Sequence, residues 1–155
     1  MEEYLAAVLS DTHGLVRPEL TVALAGVQLI IHAGDIDRPE VVETLETIAP
    51  VVAVRGNVDR EELAVRYPRA TVAEAGGALI YVLHDLHDLD LDPAAAGFQA
   101  VVSGHSHKPS MFRKDGVLYL NPGSAGPRRF MLPVTFALLR IRDKTLIPEI
   151  VRLTD

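Results

Sequence analysis

Seven side chains able to hold a metal ion recur along this chain of 155 residues in five short motifs. The motifs are Asp11-Thr12-His13, Gly34-Asp35, Gly56-Asn57-Val58-Asp59, His84, and Gly104-His105-Ser106-His107. Histidine nitrogens, carboxylates and one amide, with no sulfur among them, suit divalent Mn, Fe, Zn, Co, Ni or Mg. Seven ligands exceed what one four-coordinate ion takes and match two ions sharing a bridge. Two divalent ions carry more positive charge than Asp11 and Asp35 neutralise, so such a centre attracts phosphate even on an acidic chain. Paired ions about 3.5–4 Å apart can hold a hydroxide between them and clamp the attacking and leaving oxygens of an in-line displacement.

Side chains so far apart in sequence meet only if the intervening elements return the chain to one place. Successive motifs are 21 to 27 residues apart, about one strand with its connection, and each follows a short apolar run. Leu5–Leu9, Val27–His32 and Val51–Val54 read as strands buried on both faces. Pro18–Ala25, stopped by Gly26, and Pro39–Ile48, with Val41, Val42, Leu45 and Ile48 on one side, read as helices. This alternation predicts an α/β protein with a parallel first sheet, whose ligands gather beyond the carboxyl ends of the strands. The second half is richer in strands. Thr71–Ala73 and Leu79–Leu83 flank a turn at Gly76-Gly77, Val101-Val102 precedes the last motif, and further hairpins turn at Asp115-Gly116 and Asp143-Lys144. A second sheet packed on the first is expected. The final pair, Val134–Ile141 and Leu146–Leu153, reads as a sheet edge open to a homodimer or larger homo-oligomer. With no repeat or linker, residues 1–155 read as one domain.

Composition narrows the partners. Hydrophobic residues make up 48% of the chain and charged residues 23%, which favours a folded core over disorder. The net charge of −6 excludes a general nucleic-acid binder, which needs a basic face. The absence of cysteine removes disulfides, thiolate metal sites and thiol nucleophiles. Met1-Glu2-Glu3-Tyr4 lacks a basic leader, and no apolar run is long enough to span a membrane, so a cytoplasmic protein is expected.

The ordered set of motifs, together with Asn121-Pro122-Gly123-Ser124, resembles the calcineurin-like metallophosphoesterases, and in particular their small YfcE-type phosphodiesterase branch. The resemblance spans residues 5 to 129. It implies a four-layer α/β/β/α sandwich of two mixed sheets, with one ion held by Asp11, His13, Asp35 and His107. Asp35 would bridge to a second ion held by Asn57, His84 and His105, with Asn57 and His84 also serving catalysis. A hydroxide between the ions would attack phosphorus in a small phosphodiester or nucleotide-like substrate. Mn²⁺ is the commonest activating ion of that branch.

Two positions depart from the family pattern. Larger members carry a histidine after the motif asparagine, where this chain has Val58, so leaving-group protonation falls to Asp59 or to water. The residue after His84 is Asp85 where the branch has glycine; it either crowds the phosphate pocket or hydrogen-bonds a ligand histidine. Asp59 has a competing role as cap of a following helix. Arg128 and Arg129 are candidate phosphate contacts, while His32 and His87 read as groups behind the ligands or on the surface. Phosphomonoester or dinucleoside polyphosphate hydrolysis remains open within the enzyme class. Outside it, the same fold resembles the small retromer subunit, a scaffold with a degraded catalytic site.

Overall fold

The computed structural model describes residues 3–129 and 131–153. Met1, Glu2, Phe130, Thr154 and Asp155 lie outside the described residues, and so does the expectation drawn from the first two. One five-stranded sheet contains β1 (Tyr4–Leu9), β2 (Leu29–His32), β3 (Val51–Ala53), β9 (Thr135–Arg142) and β10 (Thr145–Arg152), in the order β10-β9-β1-β2-β3. The other contains β4 (Ala70–Ala75), β5 (Ala78–Leu83), β6 (Ala100–Val102), β7 (Ser110–Lys114) and β8 (Val117–Asn121), in the order β4-β5-β6-β8-β7.

The period-2 geometry of a strand explains how β1 can be apolar throughout. Ala6 and Val8 face the second sheet, where they join Ala73, Ile80, Val82, Val102, Leu118 and Leu120 in the central core. Ala7 and Leu9 point the other way, into a layer formed with α1 (Pro18–Ala23) and α2 (Pro39–Glu46). Each of these helices starts with proline, whose fixed φ and missing N–H suit the first helical turn. The α2 face carrying Val41, Val42 and Leu45 is buried, as its spacing predicts. On the outer side of the second sheet, a thinner layer packs Leu86 and Leu89 over Leu83, Val101 and Val117. These residues flank a 3₁₀ turn (Leu86–Asp88) and α4 (Pro93–Ala96). The result is the expected α/β/β/α sandwich.

The first sheet is parallel across β1, β2 and β3, as expected, but the last hairpin makes it mixed. This hairpin crosses back to the first sheet, and β9 pairs antiparallel with β1. Its sequence shows why β9 is central and not an edge: Phe136 packs with the helices, while Ala137, Leu139 and Ile141 enter the intersheet core. Of the hairpin's two strands, β10 alone lies at a sheet edge. All three anticipated hairpins form, and both central residues of each turn have positive φ: Gly76-Gly77, Asp115-Gly116 and Asp143-Lys144. Such turns match the right-handed twist of paired strands. Among the described residues, no helix is long and apolar enough to cross a membrane.

Candidate metal centre

The strands β1, β2 and β3 run parallel, as do β5 and β6, so their carboxyl ends form one rim between the sheets. Asp11 and His13 follow β1, Asp35 follows β2, Asn57 follows β3, His84 follows β5, and His105 and His107 follow β6. The loops are tied to one another by main-chain bonds: Asp11 N–H donates to Gly34 O, His13 N–H to Asp35 O, and Gly104 N–H to His84 O. Asp11, His13, Asp35, His105 and His107 all have φ between 45° and 71°, a region that residues with a Cβ rarely occupy. A cluster of such residues on one rim marks backbone strain held at a functional site.

Each carboxylate is fastened by one oxygen and free at the other. Asp11 Oδ2 accepts from Ser10 Oγ at 2.6 Å and from His105 N–H at 3.0 Å, while Oδ1 is buried without a partner. Asp35 Oδ1 accepts from Val58 N–H at 3.1 Å, which leaves Oδ2 toward the histidines. The motif glycines make these clamps feasible by close approach. A Cβ on Gly56 would collide with Asp35 Oδ1, and one on Gly104 would collide with Ser10 Oγ and lie 2.7 Å from Asp11 Oδ2.

The free atoms converge. Asp11, His13 and His107 form one triad with ligand atoms within 4.8 Å of one another, and Asp35, His84 and His105 form a second. The triads meet where His84 Nε2 lies 3.9 Å from Asp11 Oδ1 and His13 Nε2 lies 3.7 Å from Asp35 Oδ2. His13 Nε2 and His107 Nε2 are 3.4 Å apart, a separation that calls for a shared proton or a shared cation. His84 donates Nδ1–H to Ala33 O at 2.7 Å, which turns Nε2 toward Asp35 Oδ2, 3.2 Å away, and leaves Nε2 as the atom that could meet an ion. Orphaned buried polar atoms are costly. Here they are the atoms a pair of cations would satisfy, so the residues fit the group.

The protonation states of the chain sharpen this fit. Burial lowers the pKa of His13, with Arg129 adding to the effect against Asp35 and Asp11, and the ring stands neutral as a ligand requires. Burial would also depress His84, but the carboxylates of Asp35 and Asp11 raise it to about 9. Burial disfavours charge on Asp35, yet His84, the Val58 N–H and His13 hold its carboxyl well below the usual range. An ion entering the second triad must therefore displace the proton of His84. Metal affinity is expected to rise about tenfold per pH unit from pH 7 and to level off near pH 9. Chelator competition at several pH values measures this slope, and an affinity that is flat over that range would contradict it.

The remaining candidates divide. Asn57 is exposed and, with His84, lines a cleft of 740 Å³. Asp85 lines the same cleft and its Oδ1 accepts from His87 N–H at 3.0 Å, capping the 3₁₀ turn, while Oδ2 lies 3.8 Å from His105 Nε2. Arg128 and Arg129 are both exposed and neither is among the residues lining this cleft, while the charge of Arg129 is felt at His13. The cap role for Asp59 is corrected: α3 (Glu62–Arg66) begins at Glu61 without a side-chain cap. Asp59 is buried; its Oδ2 accepts from Ile36 and Gly56 N–H and its Oδ1 from Asp37 N–H.

His32 is fully buried behind the ligands. Its Nδ1 accepts from Gly34 N–H, so Nε2–H donates to Thr12 Oγ1, and burial lowers its pKa to about 4. His87 is a surface residue. Sequence reading passed over Ser10, although its place before Asp11 was a signal. Asn121 opens the Asn121-Pro122-Gly123-Ser124 stretch, and its Nδ2 donates to Gly104 O and Ser106 Oγ, on either side of His105.

The calcineurin-like phosphoesterase superfamily domain matches residues 5–144. A probable metallophosphoesterase of Methanothermobacter thermautotrophicus is 34% identical over 160 residues, covering 96% of this chain and 92% of that one. Among solved structures, an archaeal phosphodiesterase is 22% identical with a TM-score of 0.76, over 95% of this chain and 99% of that one. Vacuolar protein sorting 29 of Cryptosporidium parvum is 21% identical with a TM-score of 0.76, over 96% of this chain and 97% of that one. At these identities the two structures speak to the fold alone.

Proposed function

The chain belongs to the calcineurin-like phosphoesterase superfamily, and from that premise we propose that it is a phosphodiesterase working with two divalent ions, Mn²⁺ foremost. The observation that carries this reading is the joining of two ligand triads through carboxylates that each keep one oxygen free. Asp11, His13, His107 and Asp35 would hold one ion, and Asp35, Asn57, His84 and His105 the other. Bound there, the ions would supply an activated water and positive charge against the phosphoryl oxygens.

The chain's own residues account for the rest. Asn57, which lines the larger cleft with His84, would reach both an ion and the phosphoryl group. Arg129, whose charge reaches His13, is the cation suited to a non-bridging oxygen. Leaving-group protonation is the weak point. Val58 cannot donate a proton, and Asp59 is engaged on both oxygens by main-chain donors. Substrates with acidic leaving groups are therefore favoured, because they depart without general acid help.

Hydrolysis of bis(p-nitrophenyl) phosphate is expected with Mn²⁺ and should vanish on chelation, with p-nitrophenyl phosphate turned over more slowly. Absence of hydrolysis with every divalent ion at high protein concentration would refute the reading. A second reading is the scaffold implied by the resemblance to the small retromer subunit, with which the fold shared with vacuolar protein sorting 29 is compatible. Under it, Asn57→Ala and His84→Ala would keep full biological function.

A further inference from the structure

A second hollow, of 220 Å³, shares Asp85 with the larger cleft, and its walls include His105, Phe112 and Tyr119. The chain has only four Phe, four Tyr and no Trp, so two aromatic rings beside a ligand histidine need a reason. Phe112 and Tyr119 are cross-strand partners in the β7–β8 pair, with ring centroids 4.9 Å apart and planes 2° from parallel. Tyr119 packs inward on the cluster of Leu83, Val101 and Val117. Phe112 rests on Tyr119 and is 48% exposed, which leaves part of its surface open to solvent.

The register connects this stack to the metal centre. The next pair on the same face of β7 and β8 is Ser110 with Asn121, two residues along and so about 7 Å away. Asn121 holds the loop of His105 through Gly104 O and Ser106 Oγ. The exposed ring thus lines the same hollow as His105, two residues along the strand from the pair that holds the His105 loop. Ser106, Ser110 and His87 supply hydrogen-bonding groups around the same hollow.

We propose that this hollow is a ring subsite, in which Phe112 stacks a nucleobase carried by the ester whose phosphorus sits at the metal centre. The proposal rests on the phosphodiesterase reading above and adds the residue and hollow that would select a nucleotide ester from other small phosphodiesters. Base–aromatic stacking is worth enough to shift affinity about tenfold or more.

The test compares the affinities of adenosine 5′-monophosphate and ribose 5-phosphate for Mn²⁺-loaded protein by calorimetry. The wild type is expected to bind the nucleotide about tenfold more tightly. Phe112→Ala and Phe112→Leu should bring the two affinities together through loss of nucleotide binding, with ribose 5-phosphate unchanged within about twofold, while Phe112→Trp keeps the preference. The leucine variant retains apolar packing and guards against a folding defect. Equal affinities in the wild type, or a preference that survives Phe112→Ala, would overturn the subsite.

Turnover of methyl p-nitrophenyl phosphate, run alongside, separates the two readings. Turnover with equal affinities overturns the subsite alone; no turnover and no binding of either ligand overturn both. A wild-type dimer that dissociates on Phe112→Ala would assign the stack to contacts between copies of the chain and would also overturn it.

Discussion

Asp35→Asn is expected to cut phosphodiesterase activity by about 10³-fold or more while leaving the protein folded. The variant is nearly isosteric, and its amide oxygen can still accept from Val58 N–H as Asp35 Oδ1 does at 3.1 Å. What it loses is the charge of Oδ2, which lies 3.2 Å from His84 Nε2 and 3.7 Å from His13 Nε2, on the seam between the triads. Stabilisation of several kcal/mol by a correctly held ion pair corresponds to a rate loss of that size. Metal analysis of the purified variant should show fewer ions per chain than the wild type. A second consequence follows from protonation. Asp35 is one of the two carboxylates that raise His84 to about 9, so without its charge His84 falls toward neutrality and the pH slope of metal affinity flattens. An Asp35→Asn protein with undiminished turnover and two bound ions would rule out a bridging role.

The convergence of the candidate ligands was legible in the chain because each motif is local and ends a buried strand. Ala6–Leu9 must be a strand to bury both faces, and once it is, Asp11 and His13 lie at its carboxyl end. The glycines were equally legible: Gly56 and Gly104 precede ligands because a Cβ would strike the neighbouring carboxylates. Other features depend on contacts between distant residues that leave no local pattern. The pairing of β9 with β1 matches Leu139 to Ala6, across most of the chain. Only the two-sided burial of Phe136 and Ala137 explains it, and apolar content alone cannot separate a central strand from an edge one. The five-residue α3 is too short to announce itself by periodicity or by a cap. Sequence leaves Asp85 between crowding the phosphate pocket and hydrogen-bonding a ligand histidine; its bonds run to His87 in the turn it caps, and Oδ2 lies 3.8 Å from His105 Nε2. The tie of His32 to Thr12 and Gly34 joins two loops and could not be inferred from either one.

Asp59 shows the same limit and gives the second prediction with a large effect. In sequence it is the acidic residue nearest to where the missing histidine would act, which makes it a natural proton donor. In the structure its carboxylate joins the loop after β2 to the loop after β3, accepting from Ile36 N–H at 3.1 Å, Asp37 N–H at 2.8 Å and Gly56 N–H at 2.8 Å. Asp59→Asn replaces one acceptor with an NH₂ group facing a main-chain donor. It is expected to destabilise the protein by about 2–4 kcal/mol, lowering Tm by roughly 5–12 °C. Turnover should also fall, since both loops carry candidate ligands, and kinetics can tell why it falls. A proton donor matters more as the leaving group becomes more basic, up to about 10²–10⁴-fold. A loop clamp matters equally for every ester. Across aryl methyl phosphates whose phenols span several pKa units, the wild-type to variant rate ratio is expected to stay constant. A ratio that climbs with phenol pKa, in a variant of unchanged Tm, would return Asp59 to the role of general acid.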